Sequence, residues 1–357
     1  MSLYRKLELL LAGGLYYSGF VKLARWWTRR SGKKLILLCY HHASGGNLRE
    51  HLVYLKRHYR LLHLEAALEE LYQTTTKESG AKNKQTMLAL TFDDGYHDLY
   101  TRGLPLAREL QIPLTIFLIP GYIESGNRFW WQEPEYLLRH ARVKEITLQN
   151  RTYHLDDAEE RSSLLQTIDV CLRTAPSVKQ REAFLETVRN ALAVPSSTQQ
   201  AEQEKELLPL QWSEVREMED SQWISFGAHT MHHPTLAYLN DPAELQYEVR
   251  ECRLALERQL GHPVRVFAYP IGKEGAFTER DRQAVKAATY AWAVTAIHGL
   301  NTPQTCPYLL HRIVVDVDQH WLMIAAKASG LWDFLVHPGR IPISALKNMF
   351  KWGKGKA

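Results

Sequence analysis

The stretch MLALTFDDGYHDLY, residues 87–100, begins with six residues of apolar or β-branched character and then sets Asp93 and Asp94 side by side where that run ends. A short apolar run closed by a turn residue, here Gly95, reads as a buried strand. Two carboxylates at the mouth of such a strand repel one another. The pair therefore calls for a bound cation or for a proton held on one of the two.

Six more runs share this character: KLILLCY (34–40), PLTIFLI (113–119), ISFGAH (224–229), VRVFAY (264–269), YAWAVTA (290–296) and HRIVVDV (311–317). None alternates cleanly, the pattern of strands covered on both faces. One helical pattern opens at Asp241 and Pro242, with Glu244 as capping-box partner, and runs through Leu245, Val249, Cys252, Leu256 and Leu260 to Gly261; another spans about 278–288. Strand and helix in alternation predict a parallel sheet, and seven flanked strands predict an α/β fold closed or nearly closed into a barrel. A chain of 357 residues has room for one such barrel and additions. The region 128–210 breaks the rhythm and reads as a helical insertion on one rim, ending in the low-complexity stretch 194–206. The hydrophobic share of 45% and charged share of 23% exclude a disordered chain and a multi-span membrane protein. Cys39, Cys171, Cys252 and Cys306 form no CxxC pair and read as buried thiols of a reducing compartment.

A second signal, GAHTMHHPTL at 227–236, follows a predicted strand and spaces His229 and His233 four apart. Two imidazoles on one side of a turn, added to a carboxylate from another strand end, make a three-donor site for zinc or a similar divalent ion with a position left for water. In this reading Asp94 binds the ion and Asp93, facing the water, is the general base.

Thr91-Phe92-Asp93-Asp94-Gly95 and His229-Thr230-x-x-His233, in that order, resemble the first two motifs of the polysaccharide deacetylases, carbohydrate esterase family 4, with its NodB homology domain. LILLCYHHAS (35–44) with YLKRHYRLLHLEAALEEL (54–71), WSEVREME (212–219), FAYPIG (267–272) and ATYAWAVTAIHG (288–299) extend the likeness over about 35–320, most of the insertion excepted. The resemblance implies a distorted (β/α)7 barrel and metal-dependent removal of acetyl groups from N-acetylated sugars. It maps Asp93 to the family's base and Asp94, His229 and His233 to its metal ligands.

The third motif departs from the family pattern, because Ala268 stands where an arginine orients the catalytic aspartate and Ile271 replaces an aromatic residue. The oxyanion-holding backbone N–H after the proline carries over to Ile271. Tyr269 and Pro270, from the same motif, are expected at the substrate. The late Leu-x-x-His element, source of the general acid, has no clean match; LLHRIVV offers His311 as acid and Arg312 as a substrate or carboxylate contact. His41, at the end of the first strand, is expected to line the site. Of Trp130 and Trp131 at least one is core, and Trp131 is assigned to the sugar. His97 and Asp98 are candidates to support the metal residues, and His232 reads as an exposed neighbour.

At the ends of the chain, residues 7–27 mix Leu, Tyr, Phe and Trp with Glu8, a Gly pair and Lys22, and Arg5, Lys6, Arg25, Arg29, Arg30, Lys33 and Lys34 flank them. Residues 1–34 read as an amphipathic membrane-associating segment, against the alternatives of a helix packed on the protein's own body and of a transmembrane anchor. The tail 321–357 reads as helical and basic. The chain is thus expected to be a divalent-metal N-deacetylase, with zinc favoured over cobalt or manganese, acting on an N-acetylhexosamine-containing glycan or lipid-linked precursor at a membrane, on the cytoplasmic face with the periplasmic side as the alternative. Its rivals are hydrolysis of a non-sugar amide and a degenerate glycan-binding protein. No basic and aromatic stripe suited to nucleic acid occurs in the barrel sequence, and the sequence leaves the oligomeric state open.

Overall fold

In the computed structural model, which describes residues 3–73, 85–195 and 202–332, all seven expected strands form. They are β1 (Leu35–Tyr40), β3 (Met87–Phe92), β4 (Leu114–Leu118), β7 (Ile224–Ala228), β8 (Val266–Ala268), β9 (Trp292–Val294) and β10 (Ile313–Val314). A two-residue strand, β2 (Arg60–Leu61), adds to β3, and β5 (Glu145–Leu148) and β6 (Arg151–His154) form a separate antiparallel hairpin. Every pairing in the main sheet is parallel, in the order β10-β1-β3-β4-β7-β8-β9. Between the two end strands a single parallel bridge, Val294 to Leu310, spans the gap, so the sheet curls into a distorted barrel.

Each long strand is buried on both faces, and alternation decides which core a residue joins. Ile36, Leu38, Tyr40, Leu88, Leu90, Phe92, Ile116 and Leu118 pack outward under the helices. Leu35, Leu37, Met87, Ala89, Phe117, Ala268 and Val294 fill the barrel together with Leu64, Leu68 and Leu71 of the helix Leu64–Tyr72. The barrel is thus stacked with side chains from its base up to the ends of its strands, and chemistry has room only above that stack.

The helix opening at Asp241 runs to Leu260 with one π turn at Tyr247–Glu251. Asp241 caps it through Ala243 N, but Glu244 does not close a capping box; its carboxylate accepts from Val178 N of the insertion at 2.7 Å. The insertion is helical over Ala158–Arg173 and Val178–Ala191, as expected, and also contains the β5–β6 hairpin, which short polar strands did not announce. Its apolar side chains, among them Leu137, Ile146, Leu164, Ile168, Leu185 and Val188, form a core of their own with Tyr96, Ile119 and Tyr122 of the barrel. At the N-terminus the expected single helix is two, α1 (Leu3–Tyr17) and α2 (Phe20–Arg30), broken at Gly19, which takes the left-handed conformation. Cys39 and Cys252 are buried as expected, whereas Cys306 is exposed and Cys171 half-buried. Of the expected tail, Trp321–Ala328 is helical and residues 333–357 lie outside the described ones, as do residues 196–201 of the low-complexity stretch.

Candidate metal and catalytic site

The four charged or ligating residues of the two main motifs meet at the C-terminal ends of β3 and β7. Asp94 Oδ1 lies 3.6 Å from His229 Nε2 and 3.7 Å from His233 Nε2, and one donor atom from each residue falls within 4.8 Å of the others. Tight local turns make this possible. Gly95 N donates to Asp93 O at 2.9 Å around Asp94, whose φ is 72°, and Gly272 N donates to Pro270 O at 2.6 Å around Ile271, whose φ is 62°. Both are three-residue γ-turns of the rare positive-φ form, a conformation that stores strain. Thr230 and His233 also have positive φ, so the backbone is bent out of its ordinary range at four places around one centre. Gly95 itself must be glycine, because a Cβ there would stand 2.6 Å from Leu118 Cδ2.

The surrounding groups fix each ligand. His229 Nδ1 donates to the Ala268 carbonyl at 2.7 Å, which leaves Nε2 as the lone-pair nitrogen facing Asp94. Burial lowers the His229 pKa to about 4 and drives that of His233 well down, so both rings are neutral donors. The carboxylates differ from each other. Burial alone would raise Asp93, but Arg312, followed by His229, outweighs it and holds the carboxyl below the usual range. Burial and the neighbouring Asp93 charge push Asp94 well up, since the positive charge nearby is already committed to Asp93. A buried, uncompensated carboxylate beside two neutral imidazoles is a donor set that fits a divalent cation, whose charge removes the repulsion.

Arg312 takes the orienting role left unassigned at Ala268. Its guanidinium is bidentate to Asp93, with bonds of 2.6 and 2.8 Å, and it also donates to Thr295 O and Thr91 Oγ1 over the ring of Phe117. Of the two expectations for Arg312, the carboxylate contact is the one formed. Neighbouring His311 is not in the site. Its ring packs against Gly299 and is absent from the cavity wall.

A cavity of about 640 Å³ opens above these groups, lined among others by His41, Asp93, Asp94, Trp131, His229, His233 and Ile271. His41 belongs to the wall as expected, open to solvent and with a ring nitrogen within 4.8 Å of an Asp93 oxygen. Trp131 lies with its ring 4.6 Å from that of His233, while Trp130 is buried and donates Nε1 to His233 O at 3.0 Å. No hydrogen bond among the described residues uses the Ile271 N–H. Tyr269 and Pro270 are corrected: Tyr269 is fully buried, stacked on Phe277 at 4.2 Å and bonded to Tyr308 O, and Pro270, buried at the first position of the turn, is not among the residues of the wall.

Residues that the sequence did not single out support the second motif. Arg181, 2% exposed on the insertion helix Val178–Ala191, donates to His232 O at 3.0 Å and to His233 O at 3.4 Å, and its guanidinium lies 5.2 Å from the Trp130 ring. Glu248, buried in the π turn, accepts from His232 N and pairs with its Nδ1 at 2.6 Å, so His232 is a structural ring and not a free neighbour. Tyr96 stands beside Asp94 and accepts from Trp131 Nε1 at 2.8 Å. Asp98 binds the turn after β1 through Ala43 N and Ser44 N, and His97 pairs with Glu214 at 3.0 Å. Tyr96 and Asp98 were within sight of the sequence, two and four residues past the Asp pair; nothing marked Arg181.

The sequence and the barrel both have counterparts among known proteins. The family model for polysaccharide deacetylase matches residues 80–192 and 184–293. YxkH of Bacillus subtilis strain 168, which carries the same family name, is 27% identical over 140 residues; the match takes in 37% of this chain and about half of that relative (47%). Among solved structures, the deacetylase PplD of Streptococcus pyogenes in complex with acetate superposes with a TM-score of 0.53 at 16% identity, over 84% of this chain and 99% of that one. The deacetylase domain of BpsB from Bordetella bronchiseptica gives 0.50 at 14%, over 80% and 97%. At those identities the structures establish the shared barrel. With the family model covering more than half of its residues, the chain belongs to the polysaccharide deacetylase family.

Proposed function

We propose that the protein is a divalent-metal hydrolase that removes N-acetyl groups from an N-acetylhexosamine-containing glycan or a lipid-linked glycan precursor. The observation that carries this reading is the division between the two aspartates: Asp93 is held charged by Arg312 at the cavity floor, while Asp94 joins His229 and His233 in a set lacking a positive partner. Zinc suits two imidazoles and a carboxylate, and cobalt or manganese can fill the same site. A cation bound there supplies polarisation of the acetamide carbonyl and a water of lowered pKa.

The chain's own groups do the rest. Asp93 accepts the proton as water adds to the acetamide carbon. The unused Ile271 N–H donates to the carbonyl oxygen as it gains negative charge, and the strained turn fixes it there in advance. As the C–N bond breaks the departing nitrogen must gain a proton, and His41, on the wall within reach of Asp93, replaces His311 as its donor. Acetate and the free amine are the products. Trp131 offers an indole edge to the sugar ring.

Metal-loaded protein incubated with N-acetylated oligosaccharides is expected to release acetate, seen by mass spectrometry as loss of an acetyl mass, and His229→Ala with His233→Ala is expected to abolish both this and bound metal by elemental analysis. Full metal content in the double variant would reject the ligand set. Tight binding of the glycan with no mass change by the parent would favour a degenerate binding protein instead.

A further inference from the structure

Thirteen large hydrophobic side chains are exposed among the described residues, and seven of them lie between residues 7 and 26: Leu7, Leu10, Leu11, Tyr17, Phe20, Leu23 and Trp26. They are not scattered. In α1 the exposed positions 7, 10, 11 and 17 follow helical spacing, and in α2 positions 20, 23 and 26 do the same, so each helix shows an apolar stripe on one side. The opposite side is already used. Ala12 is buried with Leu322, Met323 and Ala326, Val21 enters the main core, and Tyr16 packs edge-on against Trp321 at 4.9 Å. Arg25 adds a hydrogen bond to Tyr54 Oη at 3.2 Å. The hairpin is thus fixed to the barrel by one face and presents the other to its surroundings.

The charge around that outer face has one sign. In the first 34 residues Glu8 is the one acidic residue against eight basic ones; Arg5, Lys6, Lys22, Arg29 and Arg30 are exposed, with Arg30 4.4 Å over the ring of Trp26, whereas Arg25 and Lys33 are turned to the body through Tyr54 Oη and the Glu70 carbonyl. Isolated exposed leucines need no explanation, but contiguous ones rimmed by cations do. We propose that the outer face of α1–α2 docks in the plane of an anionic lipid surface, with its leucines and aromatic rings at the acyl boundary and its lysines and arginines among the headgroups. The helices do not cross the bilayer: α1 has 15 residues and α2 has 11, and no described helix is long and apolar enough to span one. Because the inner face is packed, the hairpin would hold the whole barrel at the surface in one orientation. This inference is independent of the reaction in the cavity.

The test is co-sedimentation of the full chain with phosphatidylcholine vesicles, with and without phosphatidylglycerol. The parent is expected to bind the anionic vesicles about ten-fold more tightly or better, with part of the binding lost at high salt. Leu10→Glu with Leu23→Glu should weaken it at least about ten-fold, since each places a charge where acyl chains would lie. Lys22→Glu with Arg30→Glu, both at exposed positions, should remove the preference for phosphatidylglycerol. Circular dichroism and melting temperature confirm that the variants are folded. Three results would overturn the proposal: no binding by the parent to anionic vesicles, undiminished binding by L10E/L23E, which would assign it to residues 333–357, or a parent dimer that L10E/L23E disperses in sedimentation velocity, which would make a second copy the occupant.

Discussion

Asp93→Asn should retain bound metal and lose acetate release by roughly 100-fold or more, the scale of removing a general base, while Asp94→Asn should lose the metal itself. The two residues are adjacent, alike in burial and identical in chemistry, so only their partners tell them apart: Arg312 on one side, His229 and His233 on the other. Asparagine at 93 still accepts from the guanidinium but cannot take a proton from water. Elemental analysis and an acetate assay on the same two preparations decide the matter. Near-parental turnover by Asp93→Asn would reverse the assignment.

Arg312→Met should be the most damaging single change outside the metal ligands. It leaves a buried carboxylate unpaired, a loss of about 3–5 kcal/mol for a broken interior pair. It should also invert a pH dependence. In the parent, burial would raise the Asp93 pKa but Arg312 overrides it, so the folded value lies below the unfolded value of about 3.9. The stabilisation from Asp93 is then present above that pH and disappears as pH falls through the folded value. In Arg312→Met burial prevails, the folded pKa rises above the unfolded one, and the variant becomes less stable, relative to the parent, as pH climbs from about 4 toward neutrality. The acidic limb of the activity profile should move the same way. Melting curves of the two proteins that run parallel across pH would show that the guanidinium does not control Asp93.

The barrel was legible because its strands are buried on both faces, which writes each of them as an uninterrupted apolar run between turn residues. The candidate donor set of Asp94, His229 and His233 could be read because its members sit at the ends of two such runs with fixed spacing. What could not be read depended on contacts between distant segments. Arg312 reaches Asp93 only because β10 returns to lie beside β1, with Leu38 opposite Ile313, and a sequence does not state its strand order. His311 and Arg312 stand just ahead of β10, and only the packing shows that Arg312 turns to Asp93 while the His311 ring lies against Gly299. Tyr269 failed for a related reason: it joins the outward core with Phe267, while Ala268 between them faces inward. Arg181 and Glu248 are invisible in one dimension, the first because it belongs to an insertion that looks unrelated to the barrel, the second because a π turn shifts the helical phase that brings it to His232.

The insertion also sets a condition on how the chain folds. Strands β4 and β7 are paired along their length, Leu114 to Ile224 through Leu118 to Ala228, yet more than a hundred residues separate Leu118 from Ile224. Closing a flexible loop of that size costs entropy that grows with the logarithm of its length, about 0.6 kcal/mol for each doubling. The insertion has its own hydrophobic core, and one that collapses early shortens the effective loop; a four-fold reduction recovers about 1.2 kcal/mol of the barrier to joining the two halves of the sheet. Arg181 ties the insertion to the carbonyls of His232 and His233. An insertion that folds ahead of the sheet would place formation of the loop carrying His229 and His233 behind a segment that contributes neither of them, so damage deep in the insertion is expected to surface as slow acquisition of metal during refolding.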